Sequence, residues 1–309
     1  MNHDEQRLGV IYAGFSYILW GLLPIYWKFL HHVSAYEILA SRIVWSFIFM
    51  LAVLFVLRKQ KAFLQQLTEL KNIRKAAALA CASLLISINW LIYIWAVNTD
   101  QMIQASLGYY INPLVSVLLG MLVLKEKLSP AQYLSVLFAA IGVLVLTVSY
   151  GSFPWIALTL AVSFGLYGLA KKLIKVDSEI GLALETLMVT PIAAIYIGVL
   201  FFNGNNAFAA VSVSTDLLLI GAGVATALPL LFFAKGAQRI PLSMLGFLQY
   251  IAPTLTLLLG VFVYGEHFTR SHLLAFTFIW AALTIYSIAR TKAVTALELK
   301  WKKSKGLEM

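Results

Sequence analysis

The sequence predicts an all-α integral membrane protein whose ten transmembrane helices form two inverted five-helix repeats. Three observations lead to this fold class. Of the 309 residues, 61% are hydrophobic and 12% are charged, and the mean hydropathy is +0.87. The apolar residues are grouped into ten long stretches, and one segment of the first half recurs in the second. Because a soluble domain carries about 25% charged residues, this composition excludes a water-soluble globule and indicates a bilayer as the solvent.

Each predicted helix is an apolar stretch of about 20 residues, the length that crosses the hydrocarbon core of a bilayer. In order along the chain, the ten stretches are 8–28, 36–57, 76–97, 102–124, 130–148, 153–172, 179–201, 215–235, 240–263 and 270–290. The first lacks a small-residue cleavage site after its apolar core, so we interpret it as a retained helix and not as a signal peptide. The two longest connections, 58–75 and 202–214, each have room for a short interfacial helix.

The basic residues predict the orientation of these helices. With ten helices, both chain termini lie on the same side of the membrane, and all but three of the 23 Lys and Arg residues fall on that side. Lys28 and Arg270 fall on the other side, and Arg42 alone lies within a predicted helix. Because cytoplasmic loops are enriched in Lys and Arg, we predict that both termini are cytoplasmic. This distribution accounts for the formal charge of +10 without a nucleic-acid partner.

The repeated segment is the strongest internal signal in the chain. The stretch YINPLVSVLLGMLVLKE, from Tyr110 to Glu126, recurs as YIAPTLTLLLGVFVYGE, from Tyr250 to Glu266, at an offset of 140 residues with eight of the seventeen positions identical. With five helices in each half, the second copy enters the membrane from the opposite side. We therefore divide the chain into a first repeat at 1–150, a second, inverted repeat at 151–292 and a basic cytoplasmic tail at 293–309, which either contacts anionic lipid or is solvated.

An inverted repeat favours transport by alternating access. Two similar halves in opposite orientation can adopt two conformations of similar energy, each open to one side, and the shared site lies near the midplane at the repeat interface. The alternative is that a duplication merely built a ten-helix bundle.

Several segments carry a resemblance to a known family. They are the opening GVIYAGFSYILWGLLPIYWKFL, then SAYEILASRIVWS, NWLIYIWAVN and ASLGYYINPLVSVLLGMLVLKEKLS. Together with the two proline-centred helices that end in glutamate, they resemble the EamA family of the drug/metabolite transporter superfamily and, more narrowly, RarD-type permeases. The resemblance implies a multi-pass exporter-like fold in a bacterial inner (plasma) membrane, and a link to chloramphenicol attaches to the subfamily.

Two charged residues inside predicted helices are candidates for the transport chemistry. Arg42 lies about seven residues, or roughly 10 Å, inside the second helix; we predict that it anchors a substrate carboxylate or phosphate, and the alternative is snorkelling to the headgroups. Glu185 lies about six residues inside the seventh helix. Burial favours the protonated form of a carboxyl group, so Glu185 is a proton-coupling candidate, and the alternatives are a structural hydrogen bond or a gate. Roughly 10 Å along the membrane normal separates the two, so a direct ion pair requires tilted or broken helices.

Polar and aromatic residues suggest the lining of a central cavity. Tyr109, Asn112 and Ser116 share one face of the fourth helix at i, i+3 and i+7, and Gln249 is the repeat counterpart of Tyr109. We predict that Tyr109, Asn112 and Gln249 line the substrate cavity, whereas Ser116 is a helix-packing residue at a small-xxx-small seam. For the whole stripe, the alternative is hydrogen bonding between helices.

The NWLIYIWAVN segment and the first helix add further candidates. Asn89 and Tyr93 lie at i and i+4, and we predict that both line the cavity, with Trp20 as a weaker candidate. The alternative for the aromatic residues is the interfacial belt of Trp and Tyr. Pro113 and Pro253 interrupt the same turn of the two repeats and free a backbone carbonyl; we predict hinges, with a packing kink as the alternative.

The predicted function is that of a secondary transporter that exports small metabolites or amphiphilic drugs by alternating access and can be proton-coupled. An importer, a lipid-linked substrate flippase and an intramembrane enzyme remain alternatives. The sequence has no P-loop for ATP, no nucleophile–base motif and no metal-ligand cluster, so we predict no enzyme activity, no cofactor and no metal. The expected partners are a small-molecule substrate and membrane lipid, and a homodimer is compatible with the sequence. The single cysteine, Cys81, excludes an intramolecular disulfide, and we expect it to be buried.

Overall fold

The computed structural model describes residues 3–98, 102–151, 153–174, 176–263 and 269–289, and throughout these ranges the regular structure is helical. The helices are α1 (His3–Lys28), α2 (Ala35–Val56), α3 (Gln60–Glu69), α4 (Ile73–Asn98), α5 (Met102–Leu122), α6 (Pro130–Tyr150), α7 (Trp155–Leu173), α8 (Ser178–Phe202), α9 (Val213–Arg239), α10 (Leu242–Gln249), α11 (Ile251–Phe262) and α12 (Arg270–Ala289). Ten segments are long and apolar enough to cross a membrane, with α10 and α11 forming one of them. The prediction of ten transmembrane helices is therefore confirmed.

The ends of the helices define two faces of the bundle. Because consecutive membrane helices alternate in direction, α1 begins on the face where α2, α5, α7 and α9 end, and this face carries most of the basic residues. We call it the basic face, and the other the opposite face. The short helix α3 lies on the basic face, inside the 58–75 connection that was expected to have room for one. Glu266 and the tail at 293–309 lie outside the described residues.

The ninth predicted helix, 240–263, contains a break in the turn that Pro253 was predicted to interrupt. It ends at Gln249, restarts at Ile251, and has the Tyr250 backbone N–H bonded to the Phe247 carbonyl at 3.3 Å across a tightened turn. Proline has no N–H, and its ring clashes with the carbonyl four residues earlier. For Pro253 that carbonyl belongs to Gln249, so the break lies where the proline predicts it.

The first copy of the repeat behaves differently. Pro113 lies inside the uninterrupted helix α5. Its carbonyl faces α10, where a Cβ atom at Gly246 would lie 2.7 Å from the Pro113 oxygen. The glycine therefore lets the two helices approach closely at the proline. Whether either proline acts as a hinge stays a prediction.

The most extensive helix pairs join the two predicted halves of the chain. They are α6 with α12, α5 with α7, α1 with α9, α2 with α8 and α9, and α5 with α10. Residues from α1, α2, α4, α7, α8, α9 and α10 form the largest buried cluster. The centre of the bundle is therefore an interface between the halves, where a transporter site is expected.

The outer surface of the bundle is apolar, as contact with lipid requires. Phe55, Ile192, Phe202 and Phe262 are each more than two-thirds exposed. In water such a surface would drive association, whereas lipid acyl chains cover it without cost. Cys81 is also exposed on α4, so the expectation of a buried thiol was wrong.

Candidate substrate site and buried ion pair

Arg42 lies between two tryptophan rings. Its guanidinium carbon is 4.7 Å from the ring centre of Trp27, at the end of α1, and 5.2 Å from that of Trp90 in α4. Both distances are within the range of cation–π attraction. The Arg42 Nε–H donates a hydrogen bond of 2.8 Å to the hydroxyl of Thr226 in α9. Four helices thus position one guanidinium group.

Two tyrosines complete this group of residues. Tyr93 and Tyr109 lie close enough to interact electrostatically with Arg42, their rings are 6.0 Å apart, and their hydroxyls are hydrogen-bond partners. Tyr109 is 46% exposed. We call Arg42, Trp27, Trp90, Tyr93, Tyr109 and Thr226 the arginine site.

The charge of Arg42 has no anionic partner in the described part of the chain. The ion pairs found there, with nitrogen–oxygen distances up to 4.0 Å, do not include Arg42, and its hydrogen bond through Nε is its only one among the described residues. The remaining N–H groups of the guanidinium form a planar fork that matches a carboxylate or phosphate. The arginine site can therefore bind an anion between aromatic walls.

The structure gives Glu185 a partner that sequence reasoning missed. Lys171 Nζ donates to Glu185 Oε1 at 2.8 Å, and the Tyr167 hydroxyl donates to Oε2 at 3.1 Å. Both charged side chains are only 3% exposed. The interpretation of Arg42 as the only basic residue within a helix was therefore wrong. Lys171 lies at the end of the sixth predicted helix, 153–172, and was counted with the basic residues of the cytoplasmic side, but in α7 its side chain is buried. The sequence feature that could have revealed this pair is the separation of fourteen residues between Lys171 and Glu185, which places both residues close to the short connection between two consecutive helices.

A cavity of about 10 Å³ lies beside the buried pair. Its walls include Glu185, Tyr167, Thr186 and Ile43, together with the Trp90 ring of the arginine site. The surface of this cavity is apolar, so in this conformation it is a dry space of about the size of one water molecule. Trp90 therefore separates the guanidinium group of Arg42 from the water-sized space next to the carboxylate.

Trp20 lies in an aromatic cluster on the other side of Tyr167. Its ring centre is 5.6 Å from that of Phe164 and 5.7 Å from those of Tyr17 and Phe233, and the Phe233 ring stacks on Tyr167 at 5.9 Å. Trp20 thus packs against residues that surround the ion pair, and it is absent from the arginine site.

The amide candidates mostly connect helices. Asn89 Nδ2 donates to the Leu160 carbonyl at 2.8 Å and to Ser163 Oγ at 2.9 Å, which fixes α4 to α7. Gln249 is buried and accepts a hydrogen bond of 3.4 Å from Ser116, across the two halves. Asn112 is 4% exposed, and its Oδ1 has no hydrogen-bond partner among the residues that the structure describes. In this conformation these residues lie in helix contacts, and their role as cavity lining stays a prediction.

The glutamate that ends the first repeated segment caps a helix of the second half. Glu126 accepts hydrogen bonds from the backbone N–H groups of Leu242 at 2.6 Å and Ser243 at 2.9 Å, at the start of α10. A carboxylate at a helix N-terminus satisfies unpaired donors and complements the helix dipole. Nearby, Lys172 Nζ donates to the Ile240 carbonyl at 2.5 Å. The connection between α9 and α10 is therefore bound by two residues of opposite charge, Lys172 of α7 and Glu126, which follows α5.

Replacing Glu126 with alanine should lower the free energy of unfolding by about 1–2 kcal/mol, because the cap of α10 is lost. Thermal unfolding of the purified protein in detergent measures this. Glu69→Ala is the control, because that carboxylate pairs with Lys75 at the exposed surface and surface ion pairs contribute little to stability. Equal melting temperatures for the two variants would contradict the capping role.

Ion pairs on the basic face also join the two halves. Lys59, which precedes α3, lies 2.8 Å from Asp177 and 3.1 Å from Glu179, and Lys235 lies 2.6 Å from Glu179. Desolvation opposes the charged form of Lys59, but hydrogen bonds to Asp177 and Glu179 and their charges raise its pKa overall. We call these four residues the ion-pair layer, and it connects the start of α3 with the start of α8 and the end of α9 on the basic face.

Comparisons with known proteins agree with the fold and with membrane transport. A family model described as "EamA-like transporter family" matches the chain twice, at residues 7–148 and 153–288. The chain is 55% identical to "Uncharacterized transporter YojE" of Bacillus subtilis over 94% of this chain and 97% of that protein. It is 44% identical to "Protein RarD" of Escherichia coli, over 93% and 96%.

A more distant relative and a solved structure extend these matches. "Chloramphenicol-sensitive protein RarD" of Pseudomonas aeruginosa is 29% identical over 90% of this chain and 92% of that protein. A crystal structure that is 19% identical superposes with a TM-score of 0.70 and covers 91% of this chain and 97% of its own. At that identity the superposition supports the fold alone.

Proposed function

The chain belongs to the EamA-like transporter family, and on that premise we propose that it is a secondary transporter that exports small metabolites or amphiphilic drugs by alternating access. It is a multi-pass membrane protein and not an enzyme. The solute class that the arginine site favours is a small organic anion, in which a carboxylate or phosphate is joined to a ring or another apolar group.

The observation that carries this proposal is the unpaired guanidinium group of Arg42. A charge buried in a membrane protein is costly unless it is paired, and it usually marks a substrate or ion pathway. The guanidinium carbon lies over the Trp27 and Trp90 rings, and the terminal N–H groups, which make no hydrogen bond to the described residues, can bind a ligand. The Tyr93 and Tyr109 hydroxyls offer further hydrogen bonds to the same ligand.

The conformation supports a cycle in which one face is closed at a time. The ion-pair layer lies on the basic face, which is the cytoplasmic face under the positive-inside rule. The arginine site lies toward the opposite face, and one of its members, Tyr109, is 46% exposed. In the export cycle, this arrangement corresponds to the state after the solute has left, and separation of the ion-pair layer would expose Arg42 to the cytoplasm.

The test compares two ligands that differ in charge but share a ring. N-acetylphenylalanine is an anion and phenylalaninamide is a cation. Binding to the purified protein is measured by quenching of tryptophan fluorescence, and uptake is measured in proteoliposomes. Chloramphenicol, the compound in the name of one relative, serves as an uncharged aromatic probe.

We expect Arg42→Gln to weaken binding of the anion by about 10–100-fold, the equivalent of a charge-assisted hydrogen bond of 1.5–3 kcal/mol, and to leave the cation unaffected. Arg239→Gln is the matched control, because Arg239 already pairs with Glu5 near the surface. Equal losses for anion and cation would assign Arg42 a structural role. Failure of the wild-type protein to bind or transport the anion would contradict the proposed solute class.

A further inference from the structure

We propose that Lys171 and Glu185 form a proton-exchange site, in which a proton on Glu185 releases Lys171 toward the basic face and thereby couples solute movement to a proton gradient. This inference rests on the proposed transport function and adds its driving force. From the sequence, Glu185 alone was considered as the proton site. The proposed site has two members, and the second, Lys171, lies near the end of α7.

The surroundings of the pair are apolar apart from Tyr167 and Thr186. The other helices that line the adjoining cavity present Ile43 from α2, Ile86 and Trp90 from α4, and Leu230 from α9. Other charged groups on these elements bind elsewhere. Glu179, about one and a half turns nearer the basic face on α8, pairs with Lys59 and Lys235, and Lys172, next to Lys171 in α7, donates to the Ile240 carbonyl, while Arg42 of α2 lies against the Trp90 ring. Lys171 and Glu185 thus depend on each other for charge compensation.

Protonation of this pair has one direct structural consequence. A proton delivered by water forms an O–H bond on the Glu185 carboxylate, so that the group becomes neutral and the ion pair with the Lys171 ammonium is lost. The ammonium then has no anionic partner in an apolar environment, which is unfavourable. Because Lys171 lies two residues before the end of α7, its long side chain can extend to the basic face, as lysines near helix ends do.

The position of the cavity supplies the link to the solute. The water-sized space beside Glu185 is bounded by Trp90, whose ring also packs on the Arg42 guanidinium. A solute anion that binds Arg42 displaces or reorients this ring, and the ring controls whether water reaches Glu185. Proton uptake and solute binding are therefore joined through Trp90, without a direct contact between Arg42 and Glu185.

The first test measures the proton site without any solute. Purified protein is titrated from neutral to acidic pH while infrared difference spectra follow the C=O stretch of protonated carboxyl groups. We expect a band in the wild type that is missing from Lys171→Gln/Glu185→Gln, the variant that removes both charges and so leaves neither one unpaired. Glu179→Gln is the matched control, since it removes a buried, lysine-paired carboxylate from the same helix, and it should keep the band. A band that persists in the double variant would overturn the proposal.

The second test separates coupling from solute transport. In proteoliposomes, the double variant should still exchange labelled for unlabelled N-acetylphenylalanine, but its accumulation driven by a pH gradient should fall at least about ten-fold, to the level of passive exchange. Gradient-driven accumulation that survives in the double variant would overturn the proposal. If the wild type moves no N-acetylphenylalanine, the transport proposal fails for that solute, and the infrared titration alone decides on the proton site.

Discussion

Replacing Lys171 alone with glutamine should lower the free energy of unfolding by about 3–5 kcal/mol, because it leaves the Glu185 carboxylate buried without a counter-ion. Glu185→Gln alone should have a similar effect, since it leaves the Lys171 ammonium group buried without a counter-ion. The double variant Lys171→Gln/Glu185→Gln should recover most of the loss, because a neutral pair of similar volume carries no desolvated charge. The coupling energy between the two positions is then large and favourable.

Unfolding in mixed detergent, followed by circular dichroism, measures these free energies for the four members of the cycle. Lys75→Gln is the control, because Lys75 is about half exposed in its pair with Glu69 and should change stability by less than about 1 kcal/mol. A double variant that is no more stable than the single variants would show that the two side chains do not compensate each other.

Replacing Gly223 with alanine should remove most of the folded protein, with a cost of about 3 kcal/mol or more from overpacking. A Cβ atom at this position of α9 would lie 2.6 Å from the backbone nitrogen of Ser46 and would also collide with the carbonyl carbon of Trp45 in α2. These are backbone atoms, so no side-chain rotation relieves the collision. The Ser46 hydroxyl also donates to the Gly223 carbonyl at 3.0 Å, and this contact would be pushed apart.

The contact matters for the site because Thr226 lies three residues further along α9 and holds Arg42. Gly198→Ala in α8 is the matched control, since a Cβ atom there meets nothing within 4 Å and alanine favours the helix. The yield of monodisperse protein in size-exclusion chromatography, followed by thermal unfolding, compares the two. A Gly223→Ala variant as stable as Gly198→Ala would show that α2 and α9 are further apart than described.

Much of the candidate site followed from residue type and depth alone. Arg42, Tyr93 and Tyr109 were singled out in separate helices, and the structure brings them together. A lone charge within an apolar stretch has so few favourable locations that its position is predictable. Trp27 and Trp90 were not among the predicted site residues. Trp27 lies at the end of α1, where tryptophan is equally typical of the membrane interface.

The amide candidates show where such reasoning stops. Asn89, Asn112 and Gln249 were expected in the cavity, yet Asn89 and Gln249 make hydrogen bonds between helices. An amide on an inner helix face satisfies its donors equally well with a ligand or with a neighbouring helix. Whether the amide binds a ligand or a neighbouring helix depends on the distance between the helices. The spacing of polar residues along one helix does not reveal that distance.

The sequence by itself determined the solvent of this protein, its ten transmembrane segments and the sites where proline can break them. These properties depend on the apolar content of each stretch of about 20 residues and on the missing backbone N–H of proline. They can therefore be predicted without knowing which helices are neighbours. Only the tertiary structure decided the partners. It paired Glu185 with Lys171, placed Trp90 between that pair and Arg42, and set Glu126 on α10. Those contacts depend on helix rotation and on approaches of a few ångströms between segments far apart in the chain, and packing of the whole bundle fixes both.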